Sequence, residues 1–430
     1  MEKVDIALLG LGTVGQGVVK ILQKNKDQWY HKCDAEINLK KVLEKDFNRE
    51  RDVVLPEGVM TNNWQEIVSD PDIKVIIEVM GGIHPALEVI LEAMENGKSV
   101  VTANKDLIAE HGQELFEMAQ AKGVDFYFEA SVGGGIPIIT PLKQSLVANN
   151  IQQVMGIING TTNYILTRMD RDNMKYEDAL QQAQELGYAE ADPTSDVEGL
   201  DAARKIAILA SIAFHSRVRL QDVYTEGISK ITTNDLRYAK ELGYTIKLLG
   251  IAREENNEIE VRVNPSMISL NHPLANVNDS YNAIFVRGDA VGDTMFYGQG
   301  AGQLPTASSI VGDLVEVIKN LQKGSVGRIS CTCYDHKKIK EMGEVETKYY
   351  LRMHVVDRPG ALASIASVFG NHGVSLATVI QKNEHVGGVA ELVVITHQVK
   401  ERNLQNALKV IKEMSITQAI NSLIRVEGIN

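Results

Sequence analysis

The stretch VDIALLGLGTVGQGVVKILQK, residues 4–24, decides the fold of the first part of the chain. It opens with an apolar run, passes through the glycine-rich segment 10–15 and ends in a helical pattern. This order of strand, glycine loop and helix is the dinucleotide fingerprint: its glycines allow a tight turn and let a pyrophosphate approach the helix N-terminus. The stretch therefore predicts a Rossmann-type domain that binds NADP or NAD.

Strands and helices continue to alternate after this stretch. Apolar strand patterns recur at residues 37–43, 73–80, 99–104 and 125–132, with helical patterns between them. Such alternation implies a parallel sheet with right-handed crossovers, and ligands gather at the carboxyl ends of its strands. The residues predicted to bind the cofactor are Gly10, Leu11, Gly12, Thr13, Val14, Gly15, Lys45, Gly81, Ala103, Lys105 and Gly302.

Two of these residues need a separate argument. Glu44 after the second strand favours NAD as a ribose-binding acid, whereas Lys45 beside it is suited to the extra phosphate of NADP. The sequence leans slightly to NADP. Gly302 precedes a further helical pattern, where backbone amides can meet a phosphate or ribose.

Composition excludes several classes of function. The chain has 430 residues, enough for two or three domains, and a net charge of −12, which argues against general binding of nucleic acid or anionic membranes. No run of 18 apolar residues occurs, so no membrane span or signal peptide is expected. Three cysteines are too few for a disulfide framework and indicate the cytoplasm. Cys331 and Cys333 are interpreted as residues on one face of a strand; a metal or redox pair is the alternative.

The stretch AQELGYAEADPTSDVEGLDAARK, residues 183–205, is rich in acids and ends in a lysine. Asp201 and Lys205 stand four residues apart, which places them on one face of a helix, and Ile208 and Ile212 continue that face. A lysine at the edge of a core is a candidate for proton transfer, because desolvation lowers its pKa. The alternative is an ordinary surface ion pair.

Residues 183–205 resemble the signature of the homoserine dehydrogenase family. The resemblance extends to Asn159–Tyr164 (NGTTNY), Thr102–Lys105 (TANK) and Glu129–Gly135 (EASVGGG), and covers residues 4 to about 322. The C-terminal unit, with DRPG at residues 357–360, looks like an ACT domain, and no aspartate kinase domain is present in the sequence. The chain therefore resembles the monofunctional bacterial form of the family.

The resemblance implies NAD(P)-dependent interconversion of L-homoserine and L-aspartate 4-semialdehyde, on the route to threonine, methionine and isoleucine. The family's catalytic lysine falls on Lys205, and Lys105 is expected near the same oxygen or the substrate carboxylate. Carboxylates are expected to hold the cationic amino group of homoserine. The residues predicted to bind the substrate are Glu190, Asp201, Asp196, Gly187 and Thr161. Asp196 has an alternative role as a helix cap or first-turn acid.

The same resemblance implies a monovalent metal cation, sodium, at the glycine-rich turn after Glu129. The expected ligands are the Glu129 position and the carbonyls of Val132, Gly134 and Ile136. The alternative is a tight turn that only joins two domains.

The ACT-like unit is expected to bind threonine as an inhibitor, which requires that threonine favour a less active state. The predicted effector residues are Asp357, Gly360, Ala361, Leu362, Asn371 and Ser375. The alternative is a unit that only assembles subunits. Members of the family form homo-oligomers, so a dimer or a tetramer is expected.

The predicted fold is α/β with a Rossmann-type domain over residues 1–135, completed by about 303–322. An α+β substrate and dimerisation domain follows over 136–302, then a linker over 323–347 and a ferredoxin-like βαββαβ (ACT) domain over 348–430. Two other hypotheses remain open. One is an ACT-tailed hydroxy-acid dehydrogenase, for which no local His–Glu pair with an Arg stands out. The other is a sensor of NAD(P) and amino acids without turnover.

Overall fold

The computed structural model describes residues 3–328, 331–384 and 388–428. The chain forms two compact units: unit 1 comprises Met1–Val154, Arg204–Gln221 and Asn282–His336, and unit 2 comprises Met155–Ala203, Asp222–Tyr281 and Lys337–Asn430. This division differs from the predicted order of domains. Part of the predicted substrate domain belongs to unit 1, and the rest shares unit 2 with the ACT segment.

The strands are, in chain order, β1 (Lys3–Leu9), β2 (Glu36–Leu43), β3 (Met60–Thr61), β4 (Ile73–Glu78), β5 (Ser99–Thr102), β6 (Phe126–Tyr127), β7 (Ile151–Ile157), β8 (Tyr224–Thr225), β9 (Tyr244–Glu255), β10 (Glu258–Ser269), β11 (Tyr281–Gly288), β12 (Gly292–Gln299), β13 (Lys338–Ile339), β14 (Glu346–Val356), β15 (Leu376–Glu384), β16 (Val389–Thr396), β17 (Val399–Lys400) and β18 (Thr417–Glu427). The α-helices are α1 (Thr13–Lys24), α2 (Lys26–Cys33), α3 (Gln65–Val68), α4 (Ala86–Glu95), α5 (Lys105–Lys122), α6 (Gly160–Arg171), α7 (Tyr176–Glu185), α8 (Thr194–Val197), α9 (Leu200–Ala213), α10 (Thr233–Glu241), α11 (Gln303–Lys323), α12 (Ala361–Asn371) and α13 (Glu401–Glu413).

Unit 1 contains the predicted parallel sheet. Its strand order is β3-β2-β1-β4-β5-β6, and each pairing is parallel. This is the order of dinucleotide-binding Rossmann folds, so the predicted fold class is confirmed. Ile6 and Leu8 of β1 pack in one core with Val18 of α1 and with Ile310 and Leu314 of α11. The late helix α11 thus completes the core beside the glycine loop.

Unit 2 contains the ferredoxin-like segment. Strands β18-β14-β16-β15 pair in this order, and all three pairings are antiparallel, as the βαββαβ pattern predicts. The sheet does not end there: β10 pairs in parallel with β18, with Ser266 opposite Arg425 and Ile268 opposite Glu427. Strand β10 pairs in antiparallel with β9 on its other side. The ACT sheet is therefore continuous with the long β9–β10 hairpin.

Three predictions made from local pattern were wrong. The pattern of residues 135–146 (GIPIITPLKQSL) predicts a helix, but the structure has only a π-helical turn at Pro141–Ser145, because Pro137 and Pro141 lack the N–H groups that a helix needs. The strand predicted at 125–132 ends at Tyr127, where a 3-10 turn over Glu129–Ser131 begins. Cys331 and Cys333 lie in irregular structure and not in a strand. The segment predicted as a linker, residues 323–347, contains the short strand β13, which pairs with β10.

Among the residues that the structure describes, no helix is both long enough and apolar enough to cross a bilayer.

Candidate active site

The glycine loop joins β1 to α1 in unit 1. Gly10 has a φ of 101°, in the left-handed region that favours glycine, and a Cβ at Gly15 would lie against the carbonyl oxygen of Gly10. Gly12 caps α1, and the N–H of Gln16 donates to its carbonyl at 3.0 Å. Thr13 therefore begins a helix whose N-terminus faces a tight glycine turn, the geometry that binds a pyrophosphate.

Glu44 follows β2 and reaches this loop. Its carboxylate accepts hydrogen bonds from the backbone N–H groups of Leu11 at 3.2 Å and Lys45 at 2.8 Å, and Arg51 Nη2 lies 3.3 Å from Glu44 Oε2. Burial alone would raise the pKa of Glu44, but these backbone bonds and Arg51 outweigh it and lower the pKa. Lys45 itself is exposed. Arg51 is a second cation at this strand end, which the sequence pattern did not single out.

A buried network closes the ends of β4 and β5. Thr102 Oγ1 donates to Glu78 at 2.6 Å, and the N–H of Gly81 donates to Glu78 at 3.3 Å. Asn104 caps α5 and donates from Nδ2 to the carbonyl of Gly82 at 2.6 Å. The predicted cofactor residues Gly81 and Ala103 therefore lie at strand ends that are held rigidly, beside the start of α5.

The two candidate catalytic lysines lie in unit 1. Lys105 is the first residue of α5, Lys205 lies on α9, and both are half-buried. Arg204 Nε lies 2.8 Å from Asp106 Oδ1, so the residues next to the two lysines form an ion pair. The predicted apolar face of α9 is confirmed, because Ile208 and Ile212 are buried.

Two of the three acidic residues predicted to bind the substrate converge on one amide in unit 2. Asn159 Nδ2 donates to Asp196 Oδ1 at 2.7 Å and to Asp201 Oδ2 at 2.9 Å. Asn159 is the N-cap of α6, and its Oδ1 accepts the N–H of Thr162 at 2.9 Å. Asp201 is only 6% exposed. The sequence did not predict a role for Asn159 in the site, although an asparagine directly before a helix indicates an N-cap.

The remaining predicted substrate residues surround the turn after α7. Thr161 Oγ1 donates to the carbonyl of Tyr188 at 2.6 Å, and the rings of Tyr188 and Tyr164 lie 4.9 Å apart. Gly187 has a φ of 75° and permits this turn. Glu190 is exposed. The structure thus joins Thr161 to the turn, while Glu190 stands on its surface.

The carboxylate of Glu129 is hydrogen-bonded to the backbone. Its carboxylate accepts the N–H groups of Ile138 at 2.6 Å, Ile139 at 2.7 Å and Thr140 at 2.7 Å. The carbonyl of Gly134 accepts a hydrogen bond from Ser309 Oγ at 2.7 Å. A hard monovalent cation would therefore rely mainly on the carbonyl oxygens of the turn, including those of Val132 and Ile136. The described residues contain no group of three or more His, Cys, Asp or Glu that could hold a metal ion.

The predicted effector residues divide into two groups. Asp357, Gly360, Ala361 and Leu362 line one cavity together with Gln381 and Leu392. Asn371 and Ser375 are placed elsewhere: Asn371 ends α12, the helix that begins at Ala361. At 1.5 Å per residue, the two ends of α12 lie roughly 15 Å apart. The six predicted effector residues therefore do not share one cavity within the described part of a single chain.

These features define a class of protein, the NAD(P)-binding dehydrogenases that carry an ACT domain. The parallel sheet is of the dinucleotide-binding type, and unit 2 contains an ACT-type sheet. The two lysines and the carboxylate pair are the candidate groups for chemistry and substrate binding. Three family models match the chain. They are described as Homoserine dehydrogenase, NAD binding domain (residues 10–129), Homoserine dehydrogenase (residues 137–315) and ACT domain (residues 349–415).

Relatives match along the whole length. A Bacillus subtilis homoserine dehydrogenase is 46% identical over 429 residues, which is 100% of this chain and 99% of that one. A solved homoserine dehydrogenase from Thiobacillus denitrificans superposes with a TM-score of 0.94 at 42% identity, over 100% of this chain and 99% of that one. A hyperthermophilic archaeal homoserine dehydrogenase, solved in complex with NADPH, superposes with a TM-score of 0.61 at 26% identity, over 73% of this chain and 97% of that one. The chain belongs to the homoserine dehydrogenase family and has that family's oxidoreductase activity.

Proposed function

We propose that Lys205 transfers the proton in the NAD(P)-dependent interconversion of L-homoserine and L-aspartate 4-semialdehyde. A bound nicotinamide would supply or accept the hydride, so that charge would develop at the alcohol oxygen of the substrate. A lysine beside that oxygen can donate the proton as an ammonium group or accept it as a neutral amine. Lys105 stabilises the same oxygen or pairs with the substrate carboxylate. The Arg204–Asp106 contact of 2.8 Å supports this assignment, because it holds the helices of both lysines together.

Asp201, Asp196 and Glu190 bind the amino group of homoserine in this proposal, with Thr161 and Gly187 shaping the turn beside them. The observation that carries it is the bridge from Asn159 to Asp196 at 2.7 Å and to Asp201 at 2.9 Å. Two carboxylates held close together attract a primary ammonium group strongly. The amide between them donates to both and so reduces their mutual repulsion.

Homoserine-dependent reduction of NADP and NAD, measured side by side, tests the assignment. Lys205→Ala should lose turnover by at least about 100-fold, the scale of general acid–base catalysis, and should still bind the dinucleotide in calorimetry. Lys122→Ala, an exposed lysine at the end of α5, is the matched control and should behave as wild type. Full activity in Lys205→Ala would refute the role of this lysine and favour the sensor hypothesis.

NADP is the proposed preferred cofactor. Arg51 and Lys45 stand at the end of β2, where a 2′-phosphate is bound in this fold, and Arg51 already pairs with Glu44 at 3.3 Å. The complex of the archaeal relative with NADPH supports the same preference. Arg51→Gln should raise the KM for NADP more than the KM for NAD. An equal rise in both would show that Arg51 does not discriminate between them.

A sodium ion in the turn from Glu129 to Ile136 is proposed as a structural cation, held by the carbonyl oxygens of Val132, Gly134 and Ile136. The engagement of the Glu129 carboxylate with three backbone N–H groups suits a rigid turn of carbonyls. Sodium chloride should raise the melting temperature above that in tetramethylammonium chloride at equal ionic strength. Identical melting temperatures would argue for a simple turn.

Threonine is proposed as the effector of the ACT domain, bound at the cavity formed by Asp357 and Gly360–Leu362 in a dimer or tetramer. Because α12 separates Asn371 and Ser375 from this cavity, a second subunit would supply them. Threonine titration of activity should show inhibition in the wild type and less inhibition in Asp357→Ala, with light scattering reporting the oligomer.

A cytoplasmic location is proposed as well, supported by three cysteines that are all free thiols.

A further inference from the structure

Cys331 and Cys333 lie side by side in a cleft of unit 1. The N–H of Cys333 donates to Cys331 Sγ at 3.4 Å, and Cys333 Sγ donates to the carbonyl of Ser211 at 3.6 Å. Both residues are half-buried, whereas Cys33 is buried. The loop therefore brings two thiols together with one sulfur accepting and the other donating.

Cationic side chains line the same cleft. Lys143 and Arg217 belong to its wall, and the Nζ of Lys143 lies 4.8 Å from the ring centre of Phe116. The side-chain hydrogen bond from Cys333, aided by its backbone N–H and by Arg217 and Lys143, lowers the pKa of Cys331, against the burial that raises it. The side-chain hydrogen bond with Cys331 and burial raise the pKa of Cys333. Cys331 is therefore the more nucleophilic of the two thiols.

We propose that Cys331 and Cys333 form a dithiol modification site that reacts with low-molecular-weight disulfides. The thiolate of Cys331 attacks one sulfur of the disulfide RSSR, forms a mixed disulfide and releases RS⁻. Cys333 then loses its proton and attacks Cys331 Sγ, releasing the second RS⁻. The products are a Cys331–Cys333 disulfide and two thiols, so the protein loses two electrons and the small disulfide gains them.

The walls of the cleft connect this site to the candidate lysines. Ile108 and Ala109 come from α5, and Ile208, Ser211 and Ile212 come from α9. Oxidation removes the hydrogen that Cys333 donates to Ser211 and changes the packing against both helices. The oxidation of the two cysteines requires no role for Lys105 or Lys205. Its test is therefore independent of the proposed catalytic assignment.

Oxidised glutathione is the probe that tests the site. The reduced full-length protein is incubated with it at pH 7, quenched with acid, alkylated after denaturation and analysed by peptide mass spectrometry. The wild type should retain one alkylatable thiol, Cys33, and yield a peptide that has lost two hydrogens across residues 331–333. Cys333→Ser should retain a glutathione adduct on Cys331, because the resolving thiol is absent.

Two further variants make the test decisive. Cys331→Ser should react at least about ten-fold more slowly, since the more nucleophilic thiol is absent and burial still raises the pKa of the remaining Cys333. Cys33→Ser is the matched control and should oxidise as the wild type does, and dithiothreitol should reverse the change. Three alkylatable thiols in the treated wild type, adducts on Cys33 at the same rate, or an unchanged rate in Cys331→Ser would each overturn the proposal.

Discussion

Arg204 Nε lies 2.8 Å from Asp106 Oδ1, and this ion pair links the residue before Lys205 to the residue after Lys105. The side chains are 23% and 34% exposed, so water screens the pair only in part. A pair at this place fixes how the first turn of α5 lies against α9. We expect the ion pair to affect the positions of Lys105 and Lys205 more than the global stability of the protein.

Asp106→Asn tests this positioning role. The amide keeps the shape and removes the charge, so we expect kcat for homoserine oxidation to fall several-fold, with a smaller change in the KM for NADP. The pH profile of kcat should also shift, because the charge beside both lysines has changed. Glu114→Gln, an exposed acid on the same helix, is the control. A wild-type pH profile and kcat in Asp106→Asn would show that the pair is only structural.

Asn159→Ala tests the carboxylate bridge. Without the amide, Asp196 and Asp201 repel each other and lose their common donor, so we expect the KM for homoserine to rise at least about ten-fold. Dinucleotide binding should be unchanged. Steady-state kinetics and calorimetry measure the two effects, and Gln181→Ala on α7 is the control. A KM that stays at the wild-type value would remove Asn159 from the substrate site.

Glu427→Gln tests the buried charges between β10 and β18. Glu427 Oε1 lies 2.5 Å from Arg262 Nη2, and Glu427 Oε2 lies 2.5 Å from Arg253 Nη2. Burial alone would raise the pKa of Glu427, but Arg253 and Arg262 outweigh it and hold the pKa well below its usual range. Removing one partner of a buried pair costs roughly 3–5 kcal/mol, so the variant should melt at a much lower temperature at pH 7.

The loss of stability in Glu427→Gln should depend on pH, in a direction set by the lowered pKa of Glu427. A carboxyl whose pKa is lowered on folding adds stability above its unfolded value, near 4.5, and loses it as the pH falls further. The difference in melting temperature between the wild type and Glu427→Gln should therefore shrink below about pH 4. Glu258→Gln, on an exposed pair of the same strand, is the control. A difference that stays constant from pH 7 to pH 3 would contradict the assignment.

Oxidation at Cys331 and Cys333 should lower activity reversibly. In the disulfide, Cys333 no longer donates a hydrogen bond to the carbonyl of Ser211 on α9. We therefore expect kcat to fall several-fold after treatment with oxidised glutathione and to recover with dithiothreitol. Cys331→Ser should keep its activity under the same treatment. Equal loss in this variant would place the sensitive group elsewhere in the chain.

The Rossmann sheet, the ferredoxin-like unit and the glycine loop could be predicted because their signals are local. A strand, a glycine turn and a helix follow one another within residues 4–24, and hydrophobic periodicity identifies each. The apolar continuation of α9 after Lys205 was predictable for the same reason.

Contacts between distant residues could not be predicted in this way. Asn159 meets acids that lie 37 and 42 residues away, and Arg262 meets Glu427 across 165 residues. The sequence did not predict that the Glu129 carboxylate would accept hydrogen bonds from the backbone N–H groups of Ile138 and Thr140. Alternation of Cys331 and Cys333 suggested a strand, but the hydrogen bond from Cys333 N–H to Cys331 Sγ belongs to an irregular loop.

The parallel pairing of β10 with β18 has a consequence for any shortened form of the chain. Removing residues 346–427 would leave the edge of β10 at residues 266–268 without its partner strand and would take Glu427 away from the guanidinium of Arg262. An unprotected strand edge of this kind recruits other chains and promotes aggregation. Loss of threonine response in a truncated protein would thus report misassembly as readily as a missing effector site, and point variants of the full chain are the sounder probe of regulation.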